Sequence, residues 1–297
     1  MLDFKIPYVG RVVVGNPVAR EQSGLGVGAI HKDIFGGSRP QGHLSAVVFG
    51  PDGKPKTAQK VMSRSARFWN NIRSNALRIN LGTGLVTDIG VLAMANEYAW
   101  ANPSGSVNTV LALANYHATG TGTTSAAATD KKLQTWDSIS AVAGTQSLVA
   151  SGTAPIYQTV ATISYTGSEA VTEWGLHTSG TLSATTGTPF TAVTSTTATV
   201  TGTPYTASSS TVAGQQFQGV FAGTTASWGL VLSNTTSVLT IPAWYANSND
   251  GAGTTPGNTE AFTLRPVLWD HKVFSAVNVN NLDSIQFTYK LTINSGG

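Results

Sequence analysis

The stretch Phe274 to Ile293, FSAVNVNNLDSIQFTYKLTI, decides the fold class. Ile285, Phe287, Tyr289, Leu291 and Ile293 alternate without a break against Ser284, Gln286, Thr288, Lys290 and Thr292. A period of two places the sets on opposite sides of a pleated strand, one face buried and the other wet. Val273 to Val279 is a second apolar-rich run. Asn280-Asn281-Leu282-Asp283 between them supplies turn chemistry, because Asn and Asp tolerate left-handed backbone and bond locally. The pair predicts a closing antiparallel hairpin.

The same signals recur upstream. Ile156 to Tyr165 and Ala170 to Thr178, joined through Gly167-Ser168, predict a second hairpin carrying Trp174. Phe217 to Phe221, Trp228 to Leu232 and Ser237 to Ile241 are short strand-like runs at the spacing of sandwiches and barrels. Residues 178–213 are nearly all Thr, Ser, Ala, Gly and Val, with TGTPF at 186–190 echoed by TGTPY at 201–205. Thr and Val favour pleated backbone, so this region predicts short inserted hairpins. Trp174-Gly175-Leu176 is echoed by Trp228-Gly229-Leu230. Nearer the start, Leu44 to Phe49 runs into the turn Gly50-Pro51-Asp52-Gly53, and Lys54 to Val61 is its expected return strand. Ser63 to Ile79 is the best helix candidate; VTDIGVLAMA at 86–95 and Val107 to Tyr116 have lengths that suit buried strands. The expected fold is all-β: an antiparallel, jelly-roll-like β-sandwich body over 44–297, a Thr/Ser-rich hairpin region inserted at 178–213, and at most one or two short helices.

Composition narrows the chemistry. A chain of 297 residues is long enough for a sizeable core. It contains no cysteine, which excludes disulfides, thiolate metal sites and cysteine nucleophiles. MLDFKIPYVG lacks the pattern of an export signal and no apolar run reaches membrane-spanning length, so a soluble protein is expected. Charge is uneven: residues 1–80 hold twelve Lys and Arg against four acids, and the remainder five against ten. No basic residue lies between Lys132 and Arg265. Residues 1–43, rich in Gly and broken by Pro7, Pro17 and Pro40, read as an extended basic arm that orders on a partner, with Lys5, Arg11, Arg20, Lys32 and Arg39 as its candidate contacts.

Gly24-Leu25-Gly26-Val27-Gly28 lacks the flanking strand, helix and acid of a phosphate-binding loop. Arg64, Arg67, Arg73 and Arg78 read as the wet face of a helix, and nucleic acid is not the expected partner. Glu169 and Glu173 near Trp174 have the ingredients of a glycosidase pair, but four residues along a strand separate them by about 13 Å, outside either usual spacing. His31, His43, His117, His177 and His271 show no metal-ligand spacing. Asn247-Ser248-Asn249-Asp250-Gly251 reads as a plain turn for want of the downstream acid of a calcium loop. No cofactor is expected.

In order, AVVFGPDGKPKT, VTDIGVLAMA, ATGTGTTSAAATDKKLQT, TVATISYTGSEAVTEWGLHTS and HKVFSAVNVNNLDSIQFTYKLTI resemble segments of virion structural proteins of tailed bacteriophages, capsid decoration (cement) or tail accessory proteins. The resemblance covers about residues 44–178 and 262–297 and lies in the ordered set rather than in any one motif. It implies a β-sandwich on the outer surface of the virion, without enzymatic activity. The implied partners are the major capsid protein or other virion proteins and further copies of the chain, a homotrimer favoured, with no membrane. A tail, collar or fibre component is the alternative; another is an adhesin that binds host-surface glycans through exposed tryptophans such as Trp174 or Trp244.

Overall fold

The computed structural model describes residues 42–56, 78–99, 110–149, 156–182, 185–186, 189–208, 214–248 and 250–292. The arm, most of the helix candidate at 63–79 and the return strand beyond Lys56 lie outside the described residues. The chain opens with β1 (Gly42–Phe49), β2 (Ile79–Thr83), β3 (Leu85–Val86), α1 (Asp88–Ala99), α2 (Val110–Leu113), β4 (Tyr116–Gly120), β5 (Val142–Ala143) and β6 (Thr145–Val149). The middle carries β7 (Ile156–Ser164), β8 (Glu169–His177), β9 (Thr185–Thr186), β10 (Phe190–Val193), β11 (Thr197–Val200), β12 (Gln218–Ala222) and β13 (Ser227–Leu230). It ends with β14 (Ser233–Asn234), β15 (Val238–Thr240), β16 (Trp244–Ala246), β17 (Phe262–Pro266), β18 (Leu268–Val279) and β19 (Ser284–Thr292).

The fold is all-β and sandwich-like, built from four antiparallel sheets. The first has the order β2-β1-β19-β7-β6 and faces the second, β3-β18-β8-β4-β5. Ile285, Phe287, Tyr289 and Leu291 of β19 are buried between them, as the alternation requires, with Trp174 stacked 5.5 Å from Tyr289. Neither expected hairpin forms. β19 is paired along its length by β1 on one edge and β7 on the other, while β18 pairs with β8 in the opposite sheet. The turns at 165–168 and 280–283 therefore carry the chain across the sandwich. They brace each other: Tyr165 N–H donates to Asp283 O, and Leu282 N–H to Tyr165 O, both at 2.9 Å. Alternation and turn residues specify a reversal and a buried face, but not which sheet takes the next strand. The link from β5 to β6 crosses in the same way, at Gly144, where a Cβ would lie 2.1 Å from Thr159 Oγ1.

The third sheet, β16-β13-β12-β17-β9, and the fourth, β10-β11-β15-β14, form a second sandwich. Phe190, Val200, Tyr205, Val220, Trp244 and Phe262 are among its core residues, with Phe190 and Phe262 stacked at 4.2 Å. Phe190 and Tyr205 end the two TGTP echoes, so both copies deliver an aromatic ring to this core. The region 178–208 contributes the hairpin β10–β11, and β9 joins the third sheet by pairing with β17.

Between the sandwiches lies α1, where the sequence predicted a buried strand. Every residue from Val86 to Ala95 is buried, so the segment lacks the amphipathic period that would mark it as helical. Thr87 caps the helix: its Oγ1 accepts the Gly90 N–H at 3.1 Å and donates to Leu268 O. The run at 107–116 is likewise corrected, to the short helix α2 followed by the start of β4. α1 packs against β18 and β13, with Ile89, Val91 and Leu92 in one core with Trp228, Leu230 and Trp269. A Cβ on Gly90 would lie 2.6 Å from Trp269 O, backbone that cannot swing aside. Gly90→Ala gains about 1 kcal/mol of helix propensity and loses about 1–3 kcal/mol to overpacking. The clash wins, and a lower urea midpoint than wild type is the expected result.

Candidate functional site

A buried polar cluster lies on the outer face of the second sheet. Glu173 of β8 and His271 of β18 sit on neighbouring strands, both fully buried. His271 Nε2 is 2.8 Å from Glu173 Oε1, and His271 Nδ1 is 2.7 Å from Asp130 Oδ2. Two carboxylate acceptors require both ring nitrogens to donate, which only the protonated imidazole provides. Burial pushes His271 down, but the hydrogen bonds to Glu173 and Asp130 outweigh it and hold the ring above its ordinary value. Glu173 is the counterpart: burial pushes it up, while the bonds from His271, Gln134 and Thr135 carry it below the usual carboxylate range.

The cover over this cluster is the segment 121–137. Gln134, Thr135 and Gly122 each donate a backbone N–H to the Glu173 carboxylate, at 2.5, 3.1 and 3.2 Å, and Thr172 Oγ1 donates to Gly122 O at 2.8 Å. Asp130 also accepts the Ala127 N–H at 2.7 Å. The next residue fastens in another direction. Lys131 Nζ lies 2.6 Å from Asp250 Oδ1 and 5.1 Å from the Trp228 ring centre, and Trp228 Nε1 donates to the same carboxylate at 2.7 Å. Asp130 and Lys131 thus tie one segment to both sandwiches. Asp250, considered above within a turn of calcium-loop character, has an ammonium as its partner.

Inside the first sandwich two further polar links join the facing sheets. Trp174 Nε1 donates to His117 Nδ1 at 3.2 Å, so the His117 proton sits on Nε2, 3.2 Å from Thr159 Oγ1. Burial, then the charge of His177, pushes His117 down to about 3 and keeps it neutral. Tyr289 donates its hydroxyl to Asp270 Oδ2 at 2.9 Å, and Asp270 Oδ1 has no partner among the described residues.

Beside the Glu173 cluster opens a cleft of about 240 Å³, lined by Lys131, Lys132, Trp136, His177, Leu182 and Arg265 among others. Trp136 commits its indole N–H to Ile139 O at 2.9 Å and so offers the cleft ring surface. His177 is 3% exposed with Nδ1 unpartnered, and burial followed by the charge of His271 pushes it down to about 3.

The sequence-expected contacts Lys5, Arg11, Arg20, Lys32 and Arg39 lie outside the described residues, as do Arg64, Arg67 and Arg73. The premise of sugar stacking by Trp174 and Trp244 is corrected. They are 0% and 2% exposed, and their indole N–H groups are held by His117 and by Thr194 O. Glu173 is engaged in the cluster, and its former companion Glu169 stands at the far end of β8 opposite Val279. Spacing did not reveal the cluster, because His271 lies 98 residues from Glu173 and 141 from Asp130. Among the described residues, no three His, Asp or Glu side chains are placed to hold a metal ion, and no helix is long and apolar enough to cross a membrane. No protein-family model, curated protein or solved structure matches the chain.

Removing one partner of a buried, hydrogen-bonded charge pair costs about 3–5 kcal/mol. Glu173→Gln is expected to lose that much in urea unfolding at neutral pH, and a loss under 1 kcal/mol would contradict the geometry. Asp270 gives the pH dependence. Burial pushes it up to about 7, offset only in part by the Tyr289 hydroxyl and the His271 charge. A carboxyl raised in the folded state stabilises least where it must ionise, so its contribution falls as pH rises from the unfolded value of 3.8 through 7. Asp270→Asn keeps an acceptor for Tyr289, and its stability relative to wild type is expected to be higher at pH 8 than at pH 5.

Proposed function

We propose that this chain is a structural protein of a tailed-bacteriophage particle: a decoration or cement protein on the outer capsid surface, tied to the major capsid protein by its basic N-terminal arm. The observation that carries the reading is where the phage-like segments go. Asp130 from the Gly/Thr loop, Glu173 from the middle strand and His271 from the closing segment meet in one hydrogen-bonded cluster, and Tyr289 from the last strand stacks on Trp174. Segments that resemble phage proteins in sequence order are thus parts of one mechanical unit. That suits a body whose task is to keep its shape outside a cell.

Charge distribution supports the same reading. No basic residue lies between Lys132 and Arg265, while residues 1–80, the arm and the start of the body, hold twelve Lys and Arg against four acids, positive charge that an acidic lattice would attract. A homotrimer at lattice threefolds lets one contact surface serve repeated sites. Quantitative mass spectrometry of purified particles against the major capsid protein tests the proposal. Copies on the order of hundreds are expected for repeated icosahedral sites. A few dozen or fewer would move the protein to the tail or collar, and absence from the particle would reject the reading.

A further inference from the structure

We propose that the cleft beside the Glu173 cluster binds one small, ring-shaped carboxylate, an anion with a flat apolar face. Such a site would serve wherever the chain resides. Lys131, Lys132 and Arg265 bound the long stretch of sequence that has no basic residue, yet they line one cleft. Lys131 is neutralised by Asp250. Lys132 and Arg265 make no side-chain hydrogen bond or ion pair among the described residues, and no carboxylate lines the cleft. Two cations that line a concave site without an ion-pair partner among the described residues attract an anion, and the guanidinium is shaped to take a carboxylate through two parallel bonds.

The rest of the lining selects what carries the charge. Trp136 presents ring surface and Leu182 an apolar wall, so a flat face is favoured over a bare, strongly hydrated ion. His177 supplies a buried nitrogen without a protein partner, a polar group poised for a ligand hydroxyl or a bridging water. A volume of about 240 Å³ lies below the ~300–1,000 Å³ of clefts that take drug-sized ligands. One ring fits, and a chain of several does not. Two sources share this chemistry: an acidic sugar such as a uronic acid unit, and a free aromatic acid.

The test titrates the full chain at low salt with glucuronate, benzoate, glucose and inorganic phosphate, by calorimetry or ligand-observed NMR. At least one ring carboxylate is expected to bind about tenfold or more tighter than glucose and phosphate, and to weaken as salt screens the cations. Preference for glucuronate assigns the sugar source, and preference for benzoate the aromatic acid. The double variant Lys132→Gln/Arg265→Gln should lose at least about tenfold of that affinity. If the double variant does not fold, Lys132→Glu at an exposed side chain repeats the test and should show a loss in the same direction. Phosphate binding as tightly as the ring carboxylates, no ligand exceeding glucose, or unaltered affinity in the folded variants would overturn the proposal.

Discussion

Much of this architecture depends on one constraint, a buried imidazolium at His271 shared between two carboxylates. A charged group without water is tolerated only when its partners surround it. Here one partner, Glu173, belongs to the neighbouring strand, and the other, Asp130, to a segment that would otherwise be a loose loop. The carboxylate of Glu173 then collects three backbone N–H groups from that segment. A stretch made largely of Gly, Thr, Ser and Ala has little apolar surface to bury, so polar contacts fix its course. With its course fixed, Lys131 reaches Asp250 and the second sandwich is tied to the first.

The two sandwiches are joined in a second way, through the apolar helix α1. Its neighbours on the two sides differ in origin, β18 from the end of the chain and β13 from the middle. The repeated Trp-Gly-Leu puts one fully buried tryptophan inside the first sandwich, Trp174, and one in the core shared with α1, Trp228, and each gives its indole N–H to a buried titratable side chain. A polar link, Lys131 to Asp250, and an apolar link, α1 against β18 and β13, thus join the same two halves.

Legibility of the sequence followed the range of the interaction. The burial of β19 was readable because alternation is local, and so was the turn at 50–53, where Gly53 N–H closes on Gly50 O at 2.9 Å. Partnership was not readable. Both expected hairpins proved to be crossings between sheets, because a turn sequence specifies a reversal without specifying the neighbour. The start of α1 read as a strand since Val86 to Ala95 is buried throughout and shows no helical period. The cluster itself joins residues 98 and 141 positions apart, a range over which no local period or spacing acts. The cleft was not readable either, because Lys132 and Arg265 stand at the two ends of the stretch without basic residues and only the fold brings them to one lining.

Amide hydrogen exchange, resolved by residue, reads whether the buried imidazolium holds the 121–137 segment in place. Gly122, Gln134 and Thr135 lie outside the strands, yet their N–H groups end on a buried carboxylate. Protection at these three amides is expected to approach that of β8 and β19, with rapid exchange at exposed Thr123 and Ser125 between them. Exchange at Gly122, Gln134 and Thr135 as fast as at those exposed neighbours would show that the segment opens freely and that the buried imidazolium does not hold it.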